Sequence, residues 1–389
     1  FLLALVRFPK FGPIRLAKLR GFFDSMEAAF NADRNQLLAA KIEPRVTESF
    51  LEARNKLSPE KELLFLEKSG ATAISFTDPN YPALLKTIYD PPAVLFVRGR
   101  LPESERLMLA VVGSRKPTNY GARVVSNLVE PMAASNVVIV SGLAYGIDTL
   151  VHEATLKVSG TTIAVLGAGV DEASIFPAAN RGLAQKIITN GGAIISEFPL
   201  GTTPMKQNFP IRNRVIAGLC HGTLIIEAAK TSGSLITARA ALEAGREVFA
   251  VPGPIGSENS EGTNQLLKTG AHVVTEAEDI LSALGLATIH TTKPPLSSDN
   301  VLRSSAKEEG GGGLVVRCKP NEVRVTKISP IPGSPEEAEI LKLLSTEPIH
   351  IDDLARATNK KISEISHVLT LMEMKGSARH VGGLYYTIG

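Results

Sequence analysis

Only two cysteines, Cys220 and Cys318, occur in 389 residues, and no C-x-x-C pair exists anywhere. That scarcity excludes a disulfide framework and a zinc ribbon, and it fits a reducing compartment. Long apolar runs are missing as well: none approaches the roughly 18 to 20 residues that cross a bilayer. Nothing after Phe1 reads as a targeting segment, so a cytoplasmic protein with no membrane association is the expectation. The chain also lacks a dominant charge. The net charge is +3, and Lys+Arg against Asp+Glu runs 16 to 13 over 1–106, 13 to 14 over 107–285, 7 to 4 over 286–333 and 6 to 8 over 334–389. Without a strongly basic body, any nucleic-acid binding must rest on a focal patch.

Familiar catalytic signatures are absent too. There is no Gly-x-x-x-x-Gly-Lys, no His-Glu-x-x-His, no Gly-x-Ser-x-Gly and no acidic metal-binding cluster, and the seven histidines are scattered. No catalytic residue, metal ligand or cofactor is expected, and binding is favoured over catalysis.

Four segments organise what is present. Residues 1–71 read as a small helical domain of the SAM or helix-hairpin-helix kind. In it Phe11-Gly12-Pro13 precedes apolar Ile14, Leu16, Ala17 and Leu19, a turn that offers N–H groups to phosphate or simply packs. Over 72–285 short β-branched runs alternate with helix-length stretches. The runs are Ala93–Val97, Leu107–Val112, Val137–Val140, Thr161–Leu166, Ala193–Ser196, Thr223–Ile226, Glu247–Val251 and His272–Val274. Helices are expected between most of them, as over Tyr120–Ala134 and Leu235–Ala244. Buried strands separated by helices predict a Rossmann-like α/β fold, a doubly wound and mostly parallel sheet. Residues 286–333, with Gly310–Gly313, have a linker composition. Residues 334–389 predict three helices and a β-wing, a winged-helix domain opened by Ser334-Pro335-Glu336-Glu337 as a capped helix start.

Several strand-end loops carry groups suited to anions. Gly113-Ser114-Arg115 ends one strand: the glycine permits close approach, the serine donates, and the arginine supplies a fork for phosphate oxygens. Between Pro204 and Arg214 stand Lys206, Phe209, Arg212 and Arg214, cations around an aromatic, as in single-strand grooves. The competing reading makes Phe209 core and pairs an arginine with Glu197 or Glu227. Lys230 opens Thr231-Ser232-Gly233-Ser234, small hydroxyl residues at a helix start. Asp148 is expected to cap the helix that carries His152. Gly167-Ala168-Gly169 begins like a dinucleotide fingerprint, but Glu172 replaces its third glycine. Val251–Pro254 and Gly262-Thr263-Asn264, before an amphipathic helix, read as scaffold.

GSRKPTNYG, SGLAYGID, TIAVLGAGVD, ISEFPLGTTP, FPIRNRVIAGL, TSGSLITARAAL and REVFAVPG follow one another in the order found in DNA-processing protein A (DprA/Smf) proteins. The resemblance covers 108–275 and extends to the flanking regions. It implies a Rossmann-like homodimer that binds single-stranded DNA and, in natural transformation, delivers it to the recombinase RecA past single-strand-binding protein. Carried over by motif, Gly113, Ser114 and Arg115 form a phosphate pocket with Lys206 and Phe209 beside it. Ile175-Phe176-Pro177 and Cys220 depart from the usual pattern, away from that pocket.

Two other classes compete. A nucleoside-monophosphate phosphoribohydrolase on the same sheet would use Glu227 to activate water, although Thr-Ser-Gly-Ser replaces that group's Pro-Gly-Gly-x-Gly-Thr. A duplex-binding winged helix would need a basic third helix, and here that helix is apolar (Ile362, Ile365, Val368, Leu369, Met372) and acidic (Glu364, Glu373).

Overall fold

The computed structural model describes residues 1–103, 105–285 and 335–388, except 346, 359, 361, 375, 376 and 383. The expected linker, Ser334 and Lys361 lie outside the described residues. Two compact units result, Phe1–Pro294 and Pro295–Gly389.

The first unit is built on nine strands: β1 Thr72–Ser75, β2 Val94–Gly99, β3 Met108–Val112, β4 Val138–Ser141, β5 Thr162–Val165, β6 Ala193–Ser196, β7 Gly222–Ile225, β8 Glu247–Ala250 and β9 His272–Val273. They lie in the order β1-β2-β6-β5-β4-β3-β7-β8-β9. From β6 to β9 every neighbouring pair is parallel, while β2 pairs antiparallel with both β6 and β1. All eight apolar runs become strands. β1 escapes the sequence pattern because it is an edge strand, exposed or half-buried throughout and without an apolar face.

The central strands are apolar on both faces because helices cover both. Every residue of β3 is buried. Met108, Ala110 and Val112 face one core cluster, and Leu109 and Val111 face the other, beneath helix Asn119–Ala134. Helix Glu258–Lys268 begins earlier than the sequence suggests, so Gly262-Thr263-Asn264 lies within it.

Six helices between Leu2 and Lys68 precede the sheet, around a ring cluster of Phe8, Phe11, Phe30 and Phe50. Gly12 caps helix Pro13–Phe22, which buries Leu16 and Leu19; Ile14 and Ala17, expected on the apolar face, are exposed. A 3.6-residue period puts 16 and 19 on one side and turns 14 and 17 away from it. The cations beside the turn are tied to their own chain: Arg15 pairs with Glu43, Lys10 donates to Ser49, and Lys18 donates to the Lys41 carbonyl.

In the second unit helices Pro335–Leu341, Ile351–Thr358 and Ile362–Met374 accompany a small sheet of Ile349–His350, Ala378–Gly382 and Tyr385–Ile388. Ile365, Leu369 and Met372 of the third helix are buried with Ile340 and Leu354, whereas Ile362 is exposed. This is the expected winged-helix arrangement. Lys360 pairs with Glu339 at 3.0 Å.

Candidate nucleic-acid interface

The sheet changes direction at β3: the next three strands in sequence lie on one side of it and β7 to β9 on the other. Open α/β sheets hold ligands outside the strand ends at such a switch point. A cavity of about 520 Å³ occurs there, lined by residues 113–115, by the start of helix Asn208–Leu219 and by the loop after β7.

Gly113 ends β3 where no other residue fits. A Cβ there would stand 2.7 Å from Ile147 Cγ1 and 3.1 Å from the Glu227 carbonyl oxygen. Ser114 is committed to its own turn: its hydroxyl donates to the Lys116 carbonyl and accepts from the Lys116 N–H, each at 3.1 Å. Asn259 braces the same turn by donating to the Lys116 carbonyl at 2.9 Å. Arg115 and Lys206, in contrast, are exposed and make no hydrogen bond or ion pair among the described residues. The Arg115 guanidinium sits 5.3 Å above the ring of half-buried Phe209, within cation–π range.

The basic stretch expected as a groove segment is largely helical, which separates its two arginines. In a helix residues 209 and 212 share a face and 214 is turned some 200° from 212. Arg212 forms the buried floor of the cavity. Its Nη1 donates to the Gly142 carbonyl at 2.6 Å and to the Val165 carbonyl, and its Nε to Asn213 Oδ1 at 3.1 Å. Burial brings its pKa down to about 10, opposed by Asp148. Arg214 does not line the cavity. It donates to the Asp90 carbonyl and pairs with Glu197 and with Asp90. Burial pushes the Glu197 carboxyl up to about 7 against the pull of Arg214.

Asp148 is not the expected cap: Gly146, at φ 81°, takes that position. The Asp148 carboxylate folds back to accept from the N–H groups of Gly142 and Ala144, at 3.2 and 3.3 Å, and so shapes the loop after β4. Burial raises its pKa, while Arg212 draws it down. His152 Nδ1 lies 2.7 Å from Thr162 Oγ1. Because that hydroxyl donates to the Ile139 carbonyl, the imidazole must be the donor. Burial depresses its pKa to about 3, with Arg212 adding to the effect. A neutral, donating His152 is a packing group and makes no acid–base pair with Asp148.

Glu227 is equally committed. Its buried carboxylate accepts from the Thr118 N–H at 3.0 Å and from the Thr118 hydroxyl. Thr118 in turn caps helix Asn119–Ala134. A Cβ on Gly121 would lie 2.5 Å from Glu227 Oε2, so the carboxylate sits under that helix start, away from the cavity lining. After β7, Ser232 and Ser234 hydroxyls lie 2.7 Å apart and helix Ser234–Glu243 begins at the cavity wall, where its dipole favours an anion. Lys230 faces a neighbouring groove. Asn213, which donates to the Gly233 carbonyl at 3.3 Å, and Asn259 escaped the sequence reading; Asn213 was hidden between two arginines, and nothing in the sequence marks Asn259. Among the described residues no cluster of His, Cys, Asp and Glu could hold a metal ion, and no helix is long and apolar enough to cross a membrane.

Comparison with known proteins supplies the relatives. The model of the family described as DNA recombination-mediator protein A matches residues 72–285, and that of the DprA winged helix domain matches 326–383. Protein Smf of Synechocystis is 33% identical over 96% of this chain and 95% of its own length. Protein Smf of Escherichia coli is 48% identical over 62% of this chain, a match that spans 63% of that relative. The X-ray structure of DNA processing protein A from Streptococcus pneumoniae superposes with a TM-score of 0.62 at 35% identity, covering 72% of this chain and 96% of that one.

Proposed function

Because the chain belongs to the DNA recombination-mediator protein A family, we propose that it binds single-stranded DNA at the β3–β7 cavity and performs no chemistry there. The observation that carries this reading is the pair of uncommitted cations, Arg115 and Lys206, lining one cavity with half-buried Phe209. Cations take phosphates and an aromatic face takes a base of any identity. A base stacking on the exposed face of Phe209 displaces Arg115 onto the adjoining phosphate, so one movement makes both contacts. Gly113 and Ser114 shape the strand end that brings Arg115 there, and Arg212 fixes the floor. Arg214, tied to Glu197 and Asp90, has a structural role.

The commitment of Glu227 to Thr118 speaks against the phosphoribohydrolase reading, which needs a carboxylate free to activate water. The family's role extends the proposal: a cytoplasmic homodimer, joined through the Rossmann-like unit, that protects incoming strands and loads RecA onto them in place of single-strand-binding protein.

Titration with single strand, duplex and nucleoside monophosphate at several salt concentrations tests the reading. Single strands should bind most tightly, with little sequence preference, and the monophosphate should remain unhydrolysed. Arg115→Ala and Lys206→Ala should each reduce the salt slope by about 0.7, the value of one single-strand phosphate contact. Unchanged affinity and slope in both variants would remove the cavity from the proposal.

A further inference from the structure

A second opening adjoins the first at the strand ends. Between the loop that follows β8 and helix Glu258–Lys268 lies a groove of about 630 Å³. Lys230 lines it, while its neighbours Ala229 and Thr231 line the β3–β7 cavity, so residues 229–231 are the partition between the two. Glu261, Gln265 and Lys268 recur at helical spacing along the groove wall. The opposite wall is a braced loop: Asn264 accepts from the Gly253 N–H at 3.2 Å and donates to the Gly253 carbonyl at 3.1 Å.

Three features of this groove serve no packing purpose. Lys230 and Lys268 are exposed and make no hydrogen bond or ion pair among the described residues. Ile255, on the braced loop between Pro254 and Gly256, is 100% exposed. An isoleucine held wholly in water beside two unpaired lysines is ready for a ligand with both apolar and anionic parts. A nucleic-acid strand has that composition in every repeat.

We propose that the groove is a second single-strand subsite, entered by a strand that leaves the β3–β7 cavity across residues 229–231. Lys230 and Lys268 take its phosphates, and Ile255 meets a base. Glu261 leaves the groove with one net positive charge, enough to attract a phosphodiester chain and too little to compete with the first cavity. Strand length therefore governs affinity: a short strand fills only the first cavity, and a longer one fills both. This inference rests on the first cavity being a single-strand site.

The experiment compares Lys230→Ala/Lys268→Ala with the unaltered protein on strands of about 6 and about 16 nucleotides, lengths within the usual range of single-strand sites. The double variant should bind the short strand normally and the long strand about tenfold more weakly, with a salt slope shallower by about 1.4, two phosphate contacts. Ile255→Ser should weaken only the long strand, without altering the slope. An unchanged long-strand affinity overturns the subsite, and so does an equal loss on both lengths, which would place the lysines in the first cavity. Failure of the unaltered protein to bind either strand would instead overturn the reading of the first cavity itself.

Discussion

The floor and the rim of the β3–β7 cavity carry the same kinds of side chain under opposite conditions. On the floor Arg212 and Asp148 are buried, and each is engaged by neighbouring carbonyls or N–H groups. On the rim Arg115 and Lys206 are exposed and uncommitted, with Phe209 half-buried between rim and floor. Residue type alone would rank Arg212 with Arg115 as a phosphate ligand. Their surroundings divide the work: a buried guanidinium ties together the ends of β4 and β5, and an exposed one remains free to meet a strand. Cavities of this kind can be rigid below and adaptable above.

The largest expected effect tests the floor. Arg212→Ala leaves the Gly142 and Val165 carbonyls without their donor, a loss of about 1–3 kcal/mol for each buried acceptor left unsatisfied, and removes the charge that draws Asp148 down. Denaturant unfolding should show a much lower midpoint; an unchanged midpoint together with lost DNA binding would move Arg212 to the rim. Next comes the residue between the two. Phe209→Ala should cost about 1–3 kcal/mol of single-strand affinity with almost no change in melting temperature. Loss of thermal stability with normal affinity would assign Phe209 to the floor. The smallest effect is expected from deleting the second unit. A chain ending after Gly285 should keep nearly all its single-strand affinity, and isolated 334–389 should not shift duplex DNA at physiological salt. That fragment is net acidic, exposes Glu364 on its third helix and pairs Lys360 with Glu339, so it gains little from releasing counterions. Micromolar duplex binding by it, lost on charge reversal at Lys360 and Lys361, would show a second nucleic-acid surface instead.

The sheet was largely legible because buried parallel strands write themselves as β-branched runs; β1 was not, since an edge strand has no such run to show. At the site, strand-end glycines and cations marked loops that line one cavity. Which arginine faces the cavity was not legible, because that depends on where helix Asn208–Leu219 begins, and a shift of one residue turns every side chain by about 100°. The role of Asp148 was misread for a similar reason. Gly146 can adopt the positive φ that starts its helix, which places the aspartate at the second helical position, facing back toward its own loop. Lys230 was expected among the DNA-binding residues, but the sequence does not tell on which side of the 229–231 partition its side chain lies.

The adjacency of β3 and β7 has a consequence for how the chain is made. Thr118, just after β3, is held by Glu227, just after β7, across a sequence separation of 109 residues. At synthesis rates of roughly 5–20 residues per second, about 5–20 s elapse between the emergence of one and the other. During that interval β3, apolar on both faces, has one unpaired edge, the kind of surface that recruits other chains. A nascent chain is therefore expected to be most prone to aggregation in this window, and competent to bind DNA only when β7 closes it.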